Sequence, residues 1–486
     1  MEHALQESSF SLIPEVARHQ RIVLINTTIG AFMSSLDGSI LTVSLPTIAR
    51  DLHTGVALML WIMMGYTVVI TTLLLPLGRL SDTHGRVRMY GMGFIVFAAA
   101  SALCGFSGSG VFLLSSRLIQ GVGAAMLWCN SQAIVTDAFP RRGRGFALGI
   151  NQVAGLSGSV FGLVLGGIIT ATLGWRWIFF VNLPIGAFGA IWTFTALKEI
   201  ATIDQGEPFD AGGMALFVGG ILLALLGLTF VIQGGNPFDP WLFAAGGLSL
   251  IAFALYESTR RYPLVDLRLF RIRIFTFGNT SLLLNALARG ALLFLVTFAF
   301  QGLRGASPLI AGVMLLPLSF SIMIVGPIAG WLSDRLGSRE LSSGGLVVSA
   351  IALALLARIP LTGPYLPIAI ALLLAGIGNG LFNSPNTSAV MGAVPADRRG
   401  VASSTRTLLL NAGQLFSMAM SFAILSTTMG AGQLAGFLAG VDVSAHAIGH
   451  AAFSHGLGEA FTVSAILSVV AAILSVLRGK TTPASA

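Results

Sequence analysis

Charge is what this chain has least of. Only 9% of its residues are Asp, Glu, Lys or Arg, 55% are hydrophobic, and mean hydropathy is +0.86. A soluble globular domain of 486 residues is not built this way. Cysteine is nearly missing too: Cys104 and Cys129 both fall in apolar stretches, which excludes a disulfide framework and leaves two small packing residues. No glycine-rich loop is followed by Lys-Ser or Lys-Thr, so ATP is not expected as the direct energy source. No catalytic triad or metal cluster stands out, and neither enzymatic activity, a cofactor nor a resident metal is expected. His446 and His450 have the i, i+4 spacing of a helical metal pair, but no cysteine or helical carboxylate completes a site, so an interfacial segment is the expected reading. Residues 1–20 carry Glu2, Glu7 and Glu15 and no short apolar core, which is not the form of a cleavable signal.

Long apolar runs are what the chain does have. Fourteen candidate spans fall near 22–49, 58–80, 87–106, 111–136, 145–170, 175–197, 212–232, 240–256, 274–301, 307–332, 341–357, 365–391, 401–428 and 459–477. Barrel strands would show ten-residue alternating segments instead. The chain therefore reads as an all-α integral membrane protein of the cell membrane. If alternate connections, starting with the N-terminal tail, are assigned to the cytoplasm, that side holds twenty Lys and Arg and the other side four. Such a positive-inside bias predicts cytoplasmic N and C termini. It also accounts for the net charge of +8 without nucleic acid as a partner, because the arginines sit in short separated loops.

One acid breaks the pattern. Asp37 lies near the middle of the first span, where a charge costs about 3 kcal/mol on insertion scales and must find a protein or water partner. Asn26, Gly30, Asp37 and Ser44 are spaced 4, 7 and 7, which places them on one helical stripe, expected to face a central cavity. Two roles are open for Asp37: a carboxylate that exchanges a proton with water on alternate sides, or a fixed buried ion pair that positions the first helix. Three cations, Arg117, Arg289 and Arg406, also lie inside spans. They outnumber Asp37 and argue for neutral, zwitterionic or anionic amphiphiles over strictly cationic ones.

The two halves of the chain repeat one another. LPLGRLSDTHGRVR at 75–88 is echoed by GPIAGWLSDRLGSR at 326–339, placing Gly78, Leu80, Ser81, Asp82 and Gly85 on Gly330, Leu332, Ser333, Asp334 and Gly337 at an offset of 252. FPRRGRG at 139–145 is echoed by VPADRRG at 394–400 at an offset of 255. The pattern is a duplication of six spans, with the pair near 212–256 inserted between the copies. The expected organisation is a tail at 1–21, a six-helix bundle at 22–200, a two-helix insertion at 201–260, a second bundle at 261–478 and a tail at 479–486. Parallel six-helix halves that rock around a shared site are a transporter architecture.

Four motifs carry a family resemblance over nearly the whole chain: LDGSILTVSLPTI at 36–48, GRLSDTHGR at 78–86, RLIQGVGAA at 117–125 and WRWIFFVNLPIG at 175–186. With these the chain resembles the major facilitator superfamily, specifically its fourteen-helix drug:proton antiporters. The resemblance implies the major facilitator fold, two six-helix bundles plus two inserted helices. It also implies export of amphiphilic organic compounds in exchange for protons by a monomer in the lipid bilayer. The fifth-helix antiporter motif is incomplete: Gly158, Gly162, Gly166 and Gly167 are present, but Leu163 stands where proline is expected. A facilitator or importer, or a non-transporting sensor or scaffold, are the alternatives.

Arg117 and Gln120 lie one turn apart on the fourth span, and the family motif implies that Arg117 assists proton transfer through its charge, the alternative being a purely structural arginine. Gly78, Asp82, Gly85, Arg86, Asp137, Arg144, Asp334 and Arg339 sit at one set of helix ends, readable as a conformational latch or as interfacial anchors. Asn26, Trp61, Met64, Tyr66, Gln120, Asn151, Phe180, Asn182, Asn285, Arg289, Phe320, Asn379, Phe382, Asn383, Asn386, Arg406 and Gln414 are candidates to line the substrate cavity, with helix–helix hydrogen bonding the commoner use of Asn and Gln in membranes.

Overall fold

The structure is a computed structural model that describes residues 14–139, 141–199, 210–232, 239–260, 267–395, 399–429 and 447–479. The side chains of Asp82, Arg144 and Asp334 lie outside the described residues, so three of the latch positions carry no geometry. Among the described residues the regular structure is helical: α1 Pro14–Asp51, α2 Val56–His84, α3 Arg86–Gly105, α4 Gly110–Ala138, α5 Arg141–Thr172, α6 Trp177–Phe180, α7 Asn182–Ala196, α8 Ala211–Ile232, α9 Asp239–Thr259, α10 Arg273–Arg289, α11 Leu292–Phe298, α12 Pro308–Met314, α13 Leu316–Leu336, α14 Ser338–Arg358, α15 Tyr365–Gly392, α16 Arg399–Thr428 and α17 Ala447–Leu477. Thirteen stretches among them are long and apolar enough to cross a bilayer, and a shorter apolar stretch, Gly212–Gly227, lies in the insertion. With no water to satisfy backbone groups inside a bilayer, helices are the form such runs must take.

The helices depart from the apolar runs in instructive places. The first begins at Pro14 and the last at Ala447, well before the expected starts at 22 and 459, because a helix can continue through the polar interface once its backbone bonds are made. His450 and His455 therefore lie on α17 and not in a loop; His446 lies outside the described residues. The sixth span is two pieces, α6 and α7. The ninth is interrupted at Gly290–Ala291 and closes with a π-turn at Ala299–Leu303.

The chain divides into two compact units, Met1–Leu41 with Gly65–Phe209, and Thr42–Met64 with Asp210–Ala486. The insertion α8–α9 belongs to the second unit, and so does the junction of α1 and α2, where Gln301 Nε2 donates to Val43 O at 2.8 Å. In the first unit Tyr90, Phe94 and Phe97 of α3 pack with Leu127 and Val135 of α4 in one buried cluster. In the second, Leu282, Leu346, Phe382 and Ala471 join α10, α14, α15 and α17.

The duplication is visible atom by atom. Ser81 Oγ donates to Gly78 O at 3.0 Å and, at the offset of 252, Ser333 Oγ donates to Gly330 O at 2.8 Å. The turns that follow hinge on Gly85 and Gly337, with φ of 96° and 90°, a region closed to most L side chains. α3 crosses α4 where a Cβ on Gly123 would lie 3.0 Å from Gly93 O and 2.5 Å from Phe97 N; α14 crosses α15 where a Cβ on Gly378 would lie 2.6 Å from Gly345 O and 2.6 Å from Ser349 N. The four positions are related by the same offsets, 252 and 255, that relate the loops.

Candidate functional site

Glycine sets where α1 runs. Cβ atoms on Gly158, Gly162 and Gly166 of α5 would fall 2.4 Å from Phe32 O, 2.7 Å from Leu36 O and 2.9 Å from Ile40 O. The two helices thus touch backbone to backbone along a ladder that brackets Asp37. Leu163 is buried in the same helix, and α5 runs through it without a break.

With α1 pinned from that side, Asp37 meets α4 and α7 on the other. α4 is capped by Ser109, whose side chain accepts from Phe112 N, and Arg117 and Gln120 follow one turn apart on its buried face. Arg117 Nη1 donates to Asp37 Oδ2 at 2.6 Å. Gln120 Nε2 donates to Asp37 Oδ1 at 2.9 Å, and Asn182 Nδ2, from the first residue of α7, donates to the same oxygen at 2.8 Å. Gln120 Oε1 in turn accepts from Arg117 Nη1 at 2.6 Å, and Gln120 Nε2 reaches Ser101 Oγ of α3 at 2.7 Å. The guanidinium lies over the Tyr66 ring, 4.2 Å from its centroid, a cation–π contact in a desolvated place. Asp37 and Arg117 are 0% and 1% exposed. A buried pair of this kind is costly to break by removing one partner, by about 3–5 kcal/mol, because the other charge is stranded.

The stripe on α1 faces this protein interior and not an open space. Asn26 is fully buried: its Oδ1 accepts from Thr193 Oγ1 at 3.2 Å and its backbone O from Tyr90 OH at 3.3 Å. Gly30 is where Tyr90 fits, since a Cβ there would sit 2.2 Å from the phenol oxygen. Asn151 exchanges hydrogen bonds with Thr27 and also accepts from Thr28. Four cavity candidates, Asn26, Gln120, Asn151 and Asn182, therefore make helix–helix bonds within the first unit, with Asn182 Oδ1 left buried without a hydrogen bond. Phe180 stacks edge-on with Phe106 and Trp177, filling the space over Gly105. Met64 and Tyr66 are buried and Trp61 is half-buried.

In the second unit Asn386, fully buried, donates to Gly278 O at 3.1 Å and accepts from Arg478 Nη1 at 2.9 Å. Asn383 donates to Asn379 Oδ1 at 2.8 Å on the same helix, Phe382 is core, and Phe320 is exposed at 45%. Asn285 is buried with no partner for its Oδ1. Arg289 ends α10 at the break in the ninth span, and the next backbone N–H beyond Gly290, that of Ala291, is taken by Ser417 Oγ at 3.0 Å. Gln414 is exposed, but its Cα lies 2.7 Å from where a Gly290 Cβ would stand. Neither Arg289 nor Arg406 has a carboxylate partner among the described residues, and the Nε of each is buried without a hydrogen bond.

At the helix ends of the first unit, Arg86 Nη1 donates to both oxygens of Asp137, at 2.9 and 2.7 Å, with both side chains about a quarter exposed, at 25% and 24%. Two residues, one in each unit, escape sequence reasoning. Glu199 caps α3 by accepting from Arg86 N at 3.0 Å and Val87 N at 2.9 Å; a carboxylate at a helix N-terminus is favourable, but nothing local announces a partner 113 residues away. Arg478, in the second unit, is buried between Asn386 and Ser342 Oγ, 3.2 Å away. Burial pushes its guanidinium down to about 10, with Glu340 opposing, so it stays charged at neutral pH. Among the described residues no group of three His, Cys, Asp or Glu is placed to hold a metal.

The family model described as Major Facilitator Superfamily matches residues 27–418. The chain belongs to this superfamily. It is a multi-pass membrane transporter. Among its relatives, the riboflavin transporter RibZ of Clostridioides difficile is 34% identical over 80% of this chain and 85% of its own. The multidrug resistance protein Stp of Mycobacterium tuberculosis is 32% identical over 85% of this chain and 76% of its own. The tetracenomycin C resistance and export protein of Streptomyces glaucescens is 26% identical over 95% and 92%. A crystal structure of a bacterial homolog to the human lysosomal transporter Spinster, inward-facing and unoccupied, superposes with a TM-score of 0.66 at 17% identity, covering 95% of this chain and 97% of the other. That likeness is one of fold.

Proposed function

We propose that this transporter couples proton movement to the export of amphiphilic organic compounds by alternating access, with Asp37 as the proton carrier. The observation that carries the proposal is the sealed Asp37–Arg117 pair with its Gln120 and Asn182 donors. Proton uptake removes the charge that these three donors hold. Arg117 is then left without a counter-charge, and the packing of α1 against α4 and α7 loosens. A proton can be taken up only when that packing opens to water, so protonation and conformational change are linked. Arg117 cannot itself release a proton; its part is electrostatic. Arg86 with Asp137, and by sequence Gly78, Asp82, Gly85, Arg144, Asp334 and Arg339, form the latch that biases the two states.

The substrate reading draws on two supports. Relatives are named as multidrug, riboflavin and tetracenomycin C transporters. Arg289 and Arg406 offer two cations without described acidic partners, which favours anionic, zwitterionic or neutral amphiphiles. The test is transport in proteoliposomes with an imposed pH gradient, using riboflavin, fluorescein and rhodamine 6G as probes. Gradient-driven accumulation of riboflavin or fluorescein above rhodamine 6G, lost in Asp37→Asn while downhill exchange persists, is the expected result. Gradient-driven transport unchanged by Asp37→Asn would overturn the role of Asp37, and a strong preference for rhodamine 6G would overturn the substrate class. A second reading, a facilitator or importer, is favoured by Leu163 and the unbroken α5; it requires flux of the probes that ignores the pH gradient. A sensor or scaffold would move none of them.

A further inference from the structure

The two inserted helices do not pack tightly onto the bundle they join. Between them and α10, α16 and α17 the second unit holds an open-sided cleft of about 1240 Å³. That exceeds the roughly 1,000 Å³ at the top of the range for drug-sized sites. Phe217 of α8 and Phe253 of α9, with ring centroids 5.2 Å apart, form one wall. Along α16 the lining runs from Thr405 to Thr427, which at 1.5 Å per residue is roughly 33 Å, the height of a bilayer's hydrocarbon layer. The polar lining gathers towards one end, where His455 Nδ1 lies 3.5 Å from Glu459 Oε1, one turn apart on α17 and both exposed. Glu459 is 18 residues, about 27 Å, from the far end of α17 at Leu477, which sets this pair at the opposite membrane interface.

The geometry points to a phospholipid site with a primary-amine head group. An apolar chamber of membrane height gives water too few polar partners, and hydrocarbon supplies the dispersion contacts its walls would otherwise lack. Acyl chains lie along α16 beneath the insertion. The head group lies at the polar end, its ammonium against the Glu459 carboxylate and its phosphate beside the His455 ring. A cavity of about 550 Å³ in the first unit, beside Phe32 and Phe188, is smaller and is lined by no titratable side chain among the described residues. The insertion thus becomes a lipid-seated element, and its two helices have a physical purpose.

The test is native mass spectrometry of the full-length protein, delipidated and then offered phosphatidylethanolamine, phosphatidylglycerol and phosphatidylcholine in equal amounts. The expected result is retention of phosphatidylethanolamine roughly tenfold above the other two, the worth of one charge-assisted hydrogen bond. Glu459→Gln should erase the preference. Ala412→Trp, which fills the chamber from α16, should lose bound lipid of every kind, with Ala423→Phe as a second filling variant should the first not give a monodisperse protein. Equal retention of the three lipids by the wild type, or retention undiminished in both filled variants, would overturn the proposal. Neither outcome touches the role of Asp37.

Discussion

The two halves of the duplication share their glycine crossings and the turns at Gly85 and Gly337 and disagree at their polar centres. Carried forward by 252, Asp37 becomes Arg289; carried forward by 255, Arg117 and Gln120 become Leu372 and Ala375, both buried. One half places an acid among three donors, and the other places a cation whose Nε is buried without a hydrogen bond among the described residues. Yet the crossings at Gly93–Gly123 and Gly345–Gly378 are retained at the same offsets. Where backbone meets backbone only glycine fits, so the scaffold constrains those positions. No close backbone approach fixes the polar centre, and there the duplicated bundles differ: a buried ion pair in one half, and in the other a buried arginine without a carboxylate partner among the described residues.

Replacing the central residue in each half gives the largest contrast. Asp37→Asn should lower stability in detergent by about 3–5 kcal/mol, because Arg117 is left buried without a counter-charge. Asp37→Asn with Arg117→Gln should recover most of that loss and still fail to couple to a pH gradient. Arg289→Gln should be neutral or stabilising, since it removes a buried charge that has no carboxylate partner among the described residues. Thermal unfolding of the four proteins checks this, and an Arg289→Gln variant as unstable as Asp37→Asn would end the comparison.

Next come the crossings. Gly123→Leu and Gly378→Leu should each cost at least 1–3 kcal/mol, roughly equally, because the new side chain meets backbone that cannot step aside. Gly344, beside Gly345 on α14, has nothing within 4 Å of its Cβ position, so Gly344→Leu should be harmless or slightly stabilising. Unequal costs in the two halves would mean that the shared geometry is not shared energetics.

The third contrast concerns what the fixed charges select. Arg289→Gln and Arg406→Gln should reduce fluorescein transport several-fold and leave rhodamine 6G transport nearly unchanged. Measured with the same vesicles, a uniform loss across both dyes would make the arginines structural.

How much of this is readable without coordinates follows from the range of each interaction. Apolar runs are local properties of the chain, and thirteen helical stretches among the described residues are long and apolar enough to cross a bilayer. The α1 stripe gives the direction in which Asn26 and Asp37 point, but a helical period cannot say whether a cavity or a neighbouring helix lies there. Asn182 is 145 residues from Asp37 and Gln120 is 83, so their bonds to it are written only in the fold. Glu199 and Arg478 are harder still: each looks like one more interfacial charge until the helix end or the asparagine it serves is in place.

The smallest effect is expected at the latch, and it sharpens the comparison most finely. Arg86 makes two bonds to Asp137 through one nitrogen, and both side chains keep about a quarter of their surface, so solvent screens the pair and its worth in stability is at most about 1 kcal/mol. At the repeat offsets the second half has Ser338 and Gly392 in these two places, and a Cβ on Gly392 would meet nothing within 4 Å. The ion pair is therefore a feature of one half alone. Arg86→Gln should leave the unfolding temperature within a degree or two of the wild type; a shift in the rate of probe exchange is the outcome expected of a contact that favours one state over another. If exchange and unfolding are both untouched, the pair is an interfacial anchor; if unfolding falls as steeply as in Asp37→Asn, it is part of the fold, and in either case the asymmetry between the halves is confined to the membrane interior.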